Sequence, residues 1–502
     1  MLLKISKMFL YISVFSVLIV ISSTFFPFIG GKYYFFRFSI ELALIFFFFW
    51  WAFEAKAGEA LAKLKRVYEK PLFVAVSLFV LTFLLASIFA NNPNGAFWSN
   101  YERGEGGFQM LHYYAFFTLA VMLFEKKEDW EMMFMVSLVA SVSMILYGVI
   151  ANFGLVRNFI GPNKAGQSPD VAWRNLMEAR FQGSLGNPAY VAPYLLFSIF
   201  YAAYLWCARK IKNAKVNASV WGALIAAFLF FFLLSQTRGA FLGLGVAVLV
   251  FLVYSAFSIR KIRKWILISL AAVVLVGGGL VYFKDSPLVK RIPGSRIFEI
   301  SFSEDTVSTR LWTWGSAWNA FKEKPILGWG PENFSAAFDK YFDSRHFVPG
   351  KNSETWFDRA HSVVFDYLAE TGISGLLGYM SIFIVFYWEM WKTRVRKGAP
   401  DKEVGPALIR AAMIGLPAGY FVQGLVLFDV LPIYLNLFLF FGFAFYYFYP
   451  VRNNISPLSG GGHNRGGFTP KEISNGIYSA THSTSNGGFT NPNPIEKKEH
   501  HG

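Results

Sequence analysis

The chain is dominated by long apolar runs, each close to the roughly 20 residues that a helix needs to cross a hydrocarbon core. A backbone in lipid must satisfy its own hydrogen bonds, so each run is expected to be helical. The sequence therefore predicts an all-α integral membrane protein with about twelve transmembrane helices. The predicted spans are approximately 8–29, 33–53, 71–90, 109–124, 131–151, 189–207, 217–234, 239–257, 264–283, 372–391, 405–427 and 431–449.

Composition agrees with a membrane protein. Hydrophobic residues make up 55% of the chain and charged residues only 16%, which is too apolar for a soluble protein of 502 residues. The net charge of +16 does not indicate a nucleic-acid partner, because the basic residues form short clusters between apolar runs. The single cysteine, Cys207, excludes an intrachain disulfide. We expect no metal site and no cofactor.

The basic clusters predict the orientation of the helices. They occupy every second gap of the twelve-span arrangement, at 4–7, 56–70, 126–127, 209–215, 260–264 and 392–397. Since Lys and Arg are enriched in cytoplasmic loops, these gaps and both termini are expected in the cytoplasm. The alternate gaps, 91–108, 152–188, 235–238 and 284–371, are then expected to face outward.

Two regions follow from this arrangement. Residues 1–450 are predicted to form a polytopic membrane domain, with a large, partly helical extracytoplasmic loop at about 284–371 between the ninth and tenth spans. Residues 451–502 are rich in Gly, Ser, Asn, Thr and Pro, which predicts a disordered cytoplasmic tail.

Arg238 does not fit the topology. It lies on the predicted outer side, against the positive-inside trend, and at the start of a helix, where the macrodipole disfavours a cation. A bound anion would compensate for both, because a helix N-terminus and a guanidinium together suit phosphate. An interfacial arginine that reaches lipid phosphates is the alternative. Gly239 and Gly243 are expected to allow close packing of a neighbouring helix.

Two further arginines are candidate anion contacts. Arg310 precedes Trp314 and Trp318, which share one face of a predicted amphipathic helix at the membrane surface, with Ser308 or Thr309 as its cap. In that arrangement Arg310 lies in the first helical turn. Arg180 lies before the predicted sixth span on the same side. Arginines on one side of the membrane indicate a diphosphate, although each is also compatible with an ordinary surface position.

His361 lies where a polar run becomes helix. The helix dipole and a nearby arginine should keep its imidazole neutral, which suits a general base, although a lone histidine is also compatible with a structural role. The preceding run, FDKYFDSRHFVPGKNSETWFDRA (338–360), mixes both charges and is expected to be solvated. Its carboxylates are candidate bases, but their spacing selects none of them. Residues 370–378 are expected to break the chain between a short helix and the next span.

These segments together resemble the O-antigen ligase and polymerase superfamily. The resemblance rests on SQTRGAFLGL (235–244), TRLWTWGSAWNAFKEKPILGWGPENF (309–334), DRAHSVVFDYLAETGISGLLGY (358–379) and a Gly-Asn-Pro motif at 186–188, and covers roughly residues 180–380. It implies a membrane glycosyltransferase that moves a glycan from a polyprenyl diphosphate to an acceptor hydroxyl on the outer face of the cytoplasmic membrane. Members usually have His-Asn where this chain has His361-Ser362.

The resemblance implies a role for each candidate. Arg238 and Arg310, together with Arg180, would bind the donor diphosphate, and His361 would take the acceptor proton, giving inversion without a metal. Catalysis is thus expected from His361, Arg238 and Arg310. The acceptor is left open among a lipid, a growing glycan polymer and a protein. A transporter or flippase, or a structural assembly partner, is the alternative from another class.

Overall fold

The helices account for all regular structure in the part of the chain that the structure describes. A computed structural model describes residues 1–24, 26–100, 103–154, 169–209, 213–290, 292, 295, 305–347, 355–396 and 404–450. Its α-helices are α1 Leu2–Ser13, α2 Gly30–Phe49, α3 Glu59–Tyr68, α4 Pro71–Ile88, α5 Pro93–Trp98, α6 Gly107–Leu123, α7 Lys127–Asn152, α8 Pro169–Glu178, α9 Pro188–Ala208, α10 Ala214–Leu234, α11 Arg238–Ser258, α12 Arg263–Tyr282, α13 Pro287–Lys290, α14 Asp305–Glu323, α15 Phe334–Lys340, α16 Val363–Arg396, α17 Val404–Gly424 and α18 Leu431–Phe448. The predicted tail, 451–502, lies outside the described residues.

The all-α membrane architecture is confirmed. Within the described residues, 10 helices are long and apolar enough to cross a membrane. Two other predicted spans correspond to shorter helices: α6 has 17 residues, and α1 has 12 and continues as a 3₁₀ helix to Leu18. The predicted first span, 8–29, was therefore too long. Lys32 donates to the carbonyls of Val17 and Ile19, at 3.0 and 2.7 Å, where the first helix ends and the chain turns back.

Basic residues from several segments form ion pairs at one end of the helices, here called the basic end. Lys7 pairs with Asp129 at 2.8 Å, and Arg209 pairs with Glu131 at 3.0 Å. Lys63 and Arg66 both contact Glu125 at 2.7 Å. The gaps after α2, α6 and α9 therefore meet at the same end, as their basic clusters predicted.

The opposite end, here called the loop end, is organised by a sharp break in α16. Gly372 has φ of 63° and ψ of −165°, which interrupts the helix and confirms the predicted break. The loop before α15 hydrogen-bonds to this break: Trp329 N–H donates to the Ala369 carbonyl at 2.9 Å, and Ile373 N–H donates to the Pro325 carbonyl at 2.8 Å. Gly328, at φ of 67°, allows this close approach.

Close helix packing positions the start of α11. A Cβ at Gly243 would lie 2.5 Å from the carbonyl oxygen of Gly419 in α17, and a Cβ at Gly239 would lie 2.4 Å from the Val426 side chain. Small residues are therefore required where these two helices cross, as the sequence predicted for Gly239 and Gly243. This contact fixes the N-terminal end of α11 against the loop between α17 and α18.

The loop packing predicts a selective effect of glycine substitution. A Cβ at Gly328 would lie 2.4 Å from the carbonyl carbon of Glu370 and would also force alanine into a left-handed conformation. Gly328→Ala should therefore lower the unfolding free energy by about 1–3 kcal/mol or more. Thermal unfolding in detergent measures this effect. Gly315→Ala, in α14 with open space around the new Cβ, should be neutral or slightly stabilising. Equal stability of the two variants would contradict the packing.

Candidate functional site

His361 lies in a tight turn immediately before α16. Its φ is 56°, which is unusual for a residue other than glycine. The backbone of Ala360 is held on both sides: its carbonyl accepts from Trp314 Nε1 at 3.0 Å, and its N–H donates to Asp366 Oδ1 at 2.6 Å. Val363 N–H donates to the Leu427 carbonyl at 3.0 Å. Elements distant in the sequence thus fix the backbone around the imidazole.

The ring of His361 has a defined tautomer. It packs edge-on against Phe357 and Phe428, with ring centroids 5.5 and 5.1 Å apart. Nδ1 lies 3.1 Å from the carbonyl oxygen of Arg359. Since a carbonyl oxygen only accepts hydrogen bonds, this contact assigns the proton to Nδ1. In the neutral ring, Nε2 then carries the basic lone pair.

The imidazole is neutral at neutral pH. Burial, with a smaller contribution from the nearby charge of Arg310, lowers the pKa of His361 to about 4, while the bond to the Arg359 carbonyl opposes the shift. The sequence also predicted a neutral ring. Burial, rather than the helix dipole, is the largest cause.

Arg310 lies beside His361, but not in the first helical turn. The prediction that Ser308 or Thr309 caps α14 was wrong, since the helix already begins at Asp305. Residues able to cap a helix are frequent in SEDTVST (303–309), so the sequence signal does not select one start. Arg310 precedes Trp314 by four residues and shares its face, and Trp314 bonds to the residue before His361.

Arg180 and Arg238 lie together at a second turn. Helix α11 begins at Arg238, as predicted. Arg180 donates through Nε to the Ser235 carbonyl at 3.3 Å, and through a terminal nitrogen to Thr237 Oγ1 at 3.4 Å. Thr237 is the N-cap residue of α11, so Arg180 contacts the residue next to Arg238.

The loop between α17 and α18 connects the two arginine positions to the histidine. Val426 packs against Gly239, the residue after Arg238. The Leu427 carbonyl accepts from the Val363 N–H. Phe428 packs against the ring of His361. These contacts place the neighbourhoods of all four predicted site residues at the loop end of the helices.

Arg103 belongs to the same neighbourhood and was not selected from the sequence. Its guanidinium makes a bidentate contact with Asp358, at 2.7 and 2.9 Å, and lies 5.2 Å from the centroid of Phe428. Arg103 lowers the pKa of Asp358, although burial of that carboxyl acts in the opposite direction. A signal was present, because Arg103 lies in a gap predicted to face outward, against the same positive-inside trend as Arg238.

The polar run before His361 is only partly solvated. Arg359 is buried between Glu332 and Glu370, with its contact to Glu370 at 2.8 Å, and His346 is buried as well. The prediction of a solvated run was therefore wrong for Arg359 and His346, which pack in the interior, while Asp358 is half-buried against Arg103. Asp343 and Arg345 do form an exposed pair, and Glu354 lies outside the described residues.

Buried carboxyls lie below the turn. Burial raises the pKa of Glu105 to about 8 and the pKa of Asp429 to about 7. Together with Asp366 and Glu370 they line a small cavity that also contacts Arg359. The loop end therefore combines an arginine-rich region around His361 with an acidic interior beneath it.

Comparison with known proteins finds a match to part of the chain. Residues 222–380 match the family model described as O-Antigen ligase. The matched segment contains Arg238, Arg310 and His361, and excludes Arg103 and Arg180. No curated protein matches the chain.

Titration of His361 tests the placement of Arg310. In protein labelled with ¹⁵N-histidine, the nitrogen shifts of His361 should titrate with a midpoint near pH 4, with the neutral ring above it. Arg310→Gln should raise this midpoint, because it removes a positive charge that opposes protonation, but burial should keep it below the ordinary value of 6.5. Lys322→Gln, at the exposed far end of α14, should leave it unchanged. An unchanged midpoint in Arg310→Gln would place Arg310 away from the ring.

Proposed function

Because its domain at residues 222–380 supports membership of the O-antigen ligase superfamily, we propose that this protein transfers a glycan from a polyprenyl diphosphate to an acceptor hydroxyl. At the level of the family, the match supports glycan transfer of the O-antigen ligase and polymerase type. The observation that carries the proposal is a neutral His361 with its lone pair on Nε2, beside Arg310 and at the same end of the helices as Arg180 and Arg238.

The arginines are proposed to bind the donor diphosphate. A guanidinium forms paired hydrogen bonds to phosphate oxygens, and the free N–H groups at the start of α11 add donors beside Arg238. Negative charge grows on the diphosphate as the bond between C1 of the sugar and the phosphate oxygen breaks. Cations held in place by the fold stabilise that charge without reorganising. Arg238 and Arg310 have this role, and Arg180 supports the turn next to Arg238.

His361 is proposed to act as the general base. Nε2 takes the proton of the acceptor hydroxyl while the acceptor oxygen forms a bond to C1. The electron pair of the broken bond leaves with the diphosphate. Attack from the face opposite the leaving group inverts the configuration at C1 in a single displacement.

The low pKa of His361 has a consequence for catalysis. A base with a pKa near 4 accepts a proton weakly at neutral pH. A diphosphate bound at Arg310 offsets the positive charge that lowers this pKa, so donor binding raises the basicity of Nε2. Coupling of base strength to donor occupancy would favour acceptor activation when a glycan is ready for transfer.

Orientation follows from the charge of the two ends. The basic end is proposed to face the cytoplasm, following the positive-inside trend, so the loop end and the site face outward from the cytoplasmic membrane. The N-terminus lies at the basic end, where its ammonium pairs with Glu54 at 2.9 Å. The ring centroid of Tyr449, just after α18, lies 5.8 Å from Lys70 Nζ at the same end. The C-terminus is therefore also proposed to be cytoplasmic.

The acceptor distinguishes ligation to a lipid from polymerisation of repeat units and from transfer to a protein. All three use the same donor chemistry. A flippase, the alternative from another class, would move the carrier lipid across the membrane and leave the bond at C1 intact.

Transfer assays with purified protein test the assignments. A polyprenyl-diphosphate oligosaccharide is incubated with separate lipid, glycan and protein acceptors, and products are identified by mass. Arg238→Ala and Arg310→Ala should each lower kcat/KM about 100-fold or more. His361→Gln should lower it by roughly 10²–10⁴-fold. Arg345→Ala, which removes an exposed cation paired with Asp343, should retain normal transfer.

Normal turnover by Arg238→Ala or Arg310→Ala would refute the diphosphate assignment. Movement of intact carrier across vesicle membranes, without any glycosylated acceptor, would favour the flippase.

A further inference from the structure

We propose that Asp366 is a positioning residue that holds His361 in the orientation needed for proton transfer. This inference rests on the proposed function. Asp366 lies one turn into α16 and is buried, with 5% of its surface exposed. Its Oδ1 accepts from the N–H of Ala360 at 2.6 Å, and its own N–H donates to the Ser362 carbonyl at 2.8 Å. These two bonds lie on either side of His361.

The geometry of the turn explains why such a contact is needed. A left-handed φ is unfavourable for histidine and persists only where surrounding groups hold it. Trp314 fixes the carbonyl of Ala360, and Asp366 fixes its N–H. The two consecutive peptide groups that precede His361 are therefore each held by one side chain, which sets the direction of the imidazole. An acidic side chain at a helix N-terminus is also favoured by the macrodipole.

The other acids that line the cavity bind different groups. Glu105 accepts from Tyr113 at 2.9 Å, Glu370 from Arg359 at 2.8 Å and Asp429 from Tyr420 at 2.6 Å. Among these four cavity acids, Asp366 is the one whose side chain bonds to the turn that carries His361.

The two oxygens of Asp366 differ in their contacts. Oδ2 is buried and has no hydrogen-bond partner among the described residues. Oδ1 accepts from the Ala360 N–H, so the bond that this buried side chain makes acts on the backbone next to His361.

Substitutions at Asp366 separate positioning from general stability. Asp366→Ala removes the acceptor of the Ala360 N–H, whereas Asp366→Asn keeps an oxygen at that position. Asp366→Ala should lower kcat about 10- to 100-fold with the donor KM within about twofold, since the base is displaced while the diphosphate contacts remain. Asp366→Asn should restore most of the activity. Glu389→Ala, which removes an equally buried acid of α16 that pairs with Lys392 at the basic end, is the matched control and should retain kcat.

A titration readout tests the positioning without any assay of transfer. Arg310, Arg103 and Asp358 are the main charged groups acting on the imidazole. In Asp366→Ala the released ring should move toward water, and its NMR midpoint should rise from about 4 toward 6.5. The midpoint should stay low in Asp366→Asn and in Glu389→Ala. Trp314→Phe removes the opposite tether and should also raise the midpoint, which gives a second variant if Asp366→Ala does not fold.

The outcomes separate the two proposals. A normal kcat and an unchanged midpoint in Asp366→Ala would overturn the positioning role, as would equal impairment of Asp366→Asn and Asp366→Ala. If wild-type protein forms no glycosylated product, the proposed function fails, and the midpoints of the same variants still decide whether Asp366 positions His361.

Discussion

The candidate site depends on the backbone of Ala360, the residue before His361. Trp314 from α14 donates to its carbonyl and Asp366 from α16 accepts from its N–H, and the loop between α17 and α18 accepts from the Val363 N–H just after His361. Segments separated by many residues in the sequence therefore define one imidazole orientation. The same packing places Arg310 within electrostatic range of the ring, so that histidine basicity and arginine position are set together.

Buried and half-buried charge pairs hold the segment before this turn in place. Arg359 lies between Glu332 and Glu370, and Arg103 makes a bidentate contact with Asp358. A buried charge is unfavourable unless an opposite charge and hydrogen bonds accompany it. Removal of one partner would leave the other uncompensated, so these pairs constrain the loop end to one arrangement. The break at Gly372 allows the loop before α15 to reach this network.

Much of the architecture could be predicted from the sequence, because a bilayer restricts which segments can cross it and on which side basic residues lie. Apolar runs predicted the helices, alternating basic clusters predicted a shared basic end, and glycines predicted the break in α16 and the close packing of α11. Arg238 could be selected because it violates both topology and the helix dipole. These signals are local and do not depend on tertiary contacts.

The features that the sequence did not predict depend on contacts between residues that are distant in the chain. Asp358 and Arg359 occur in a run with the composition of a solvated loop. Arg359 is nevertheless buried because it pairs with Glu332 and Glu370, and Asp358 is half-buried because it pairs with Arg103. The register of Arg310 depends on where α14 begins, and several residues there can cap a helix. Asp366 has no sequence signal of its own, because its bond to Ala360 requires the His361 turn to be formed.

The central claim is that arginines from separate segments bind one diphosphate beside His361. The most direct test is an experimental structure of His361→Gln protein with a polyprenyl-diphosphate oligosaccharide bound. The account predicts a diphosphate within hydrogen-bond distance of Arg238 and Arg310, with C1 of the sugar facing position 361. A diphosphate bound at the basic end, or one that contacts neither arginine, would contradict it.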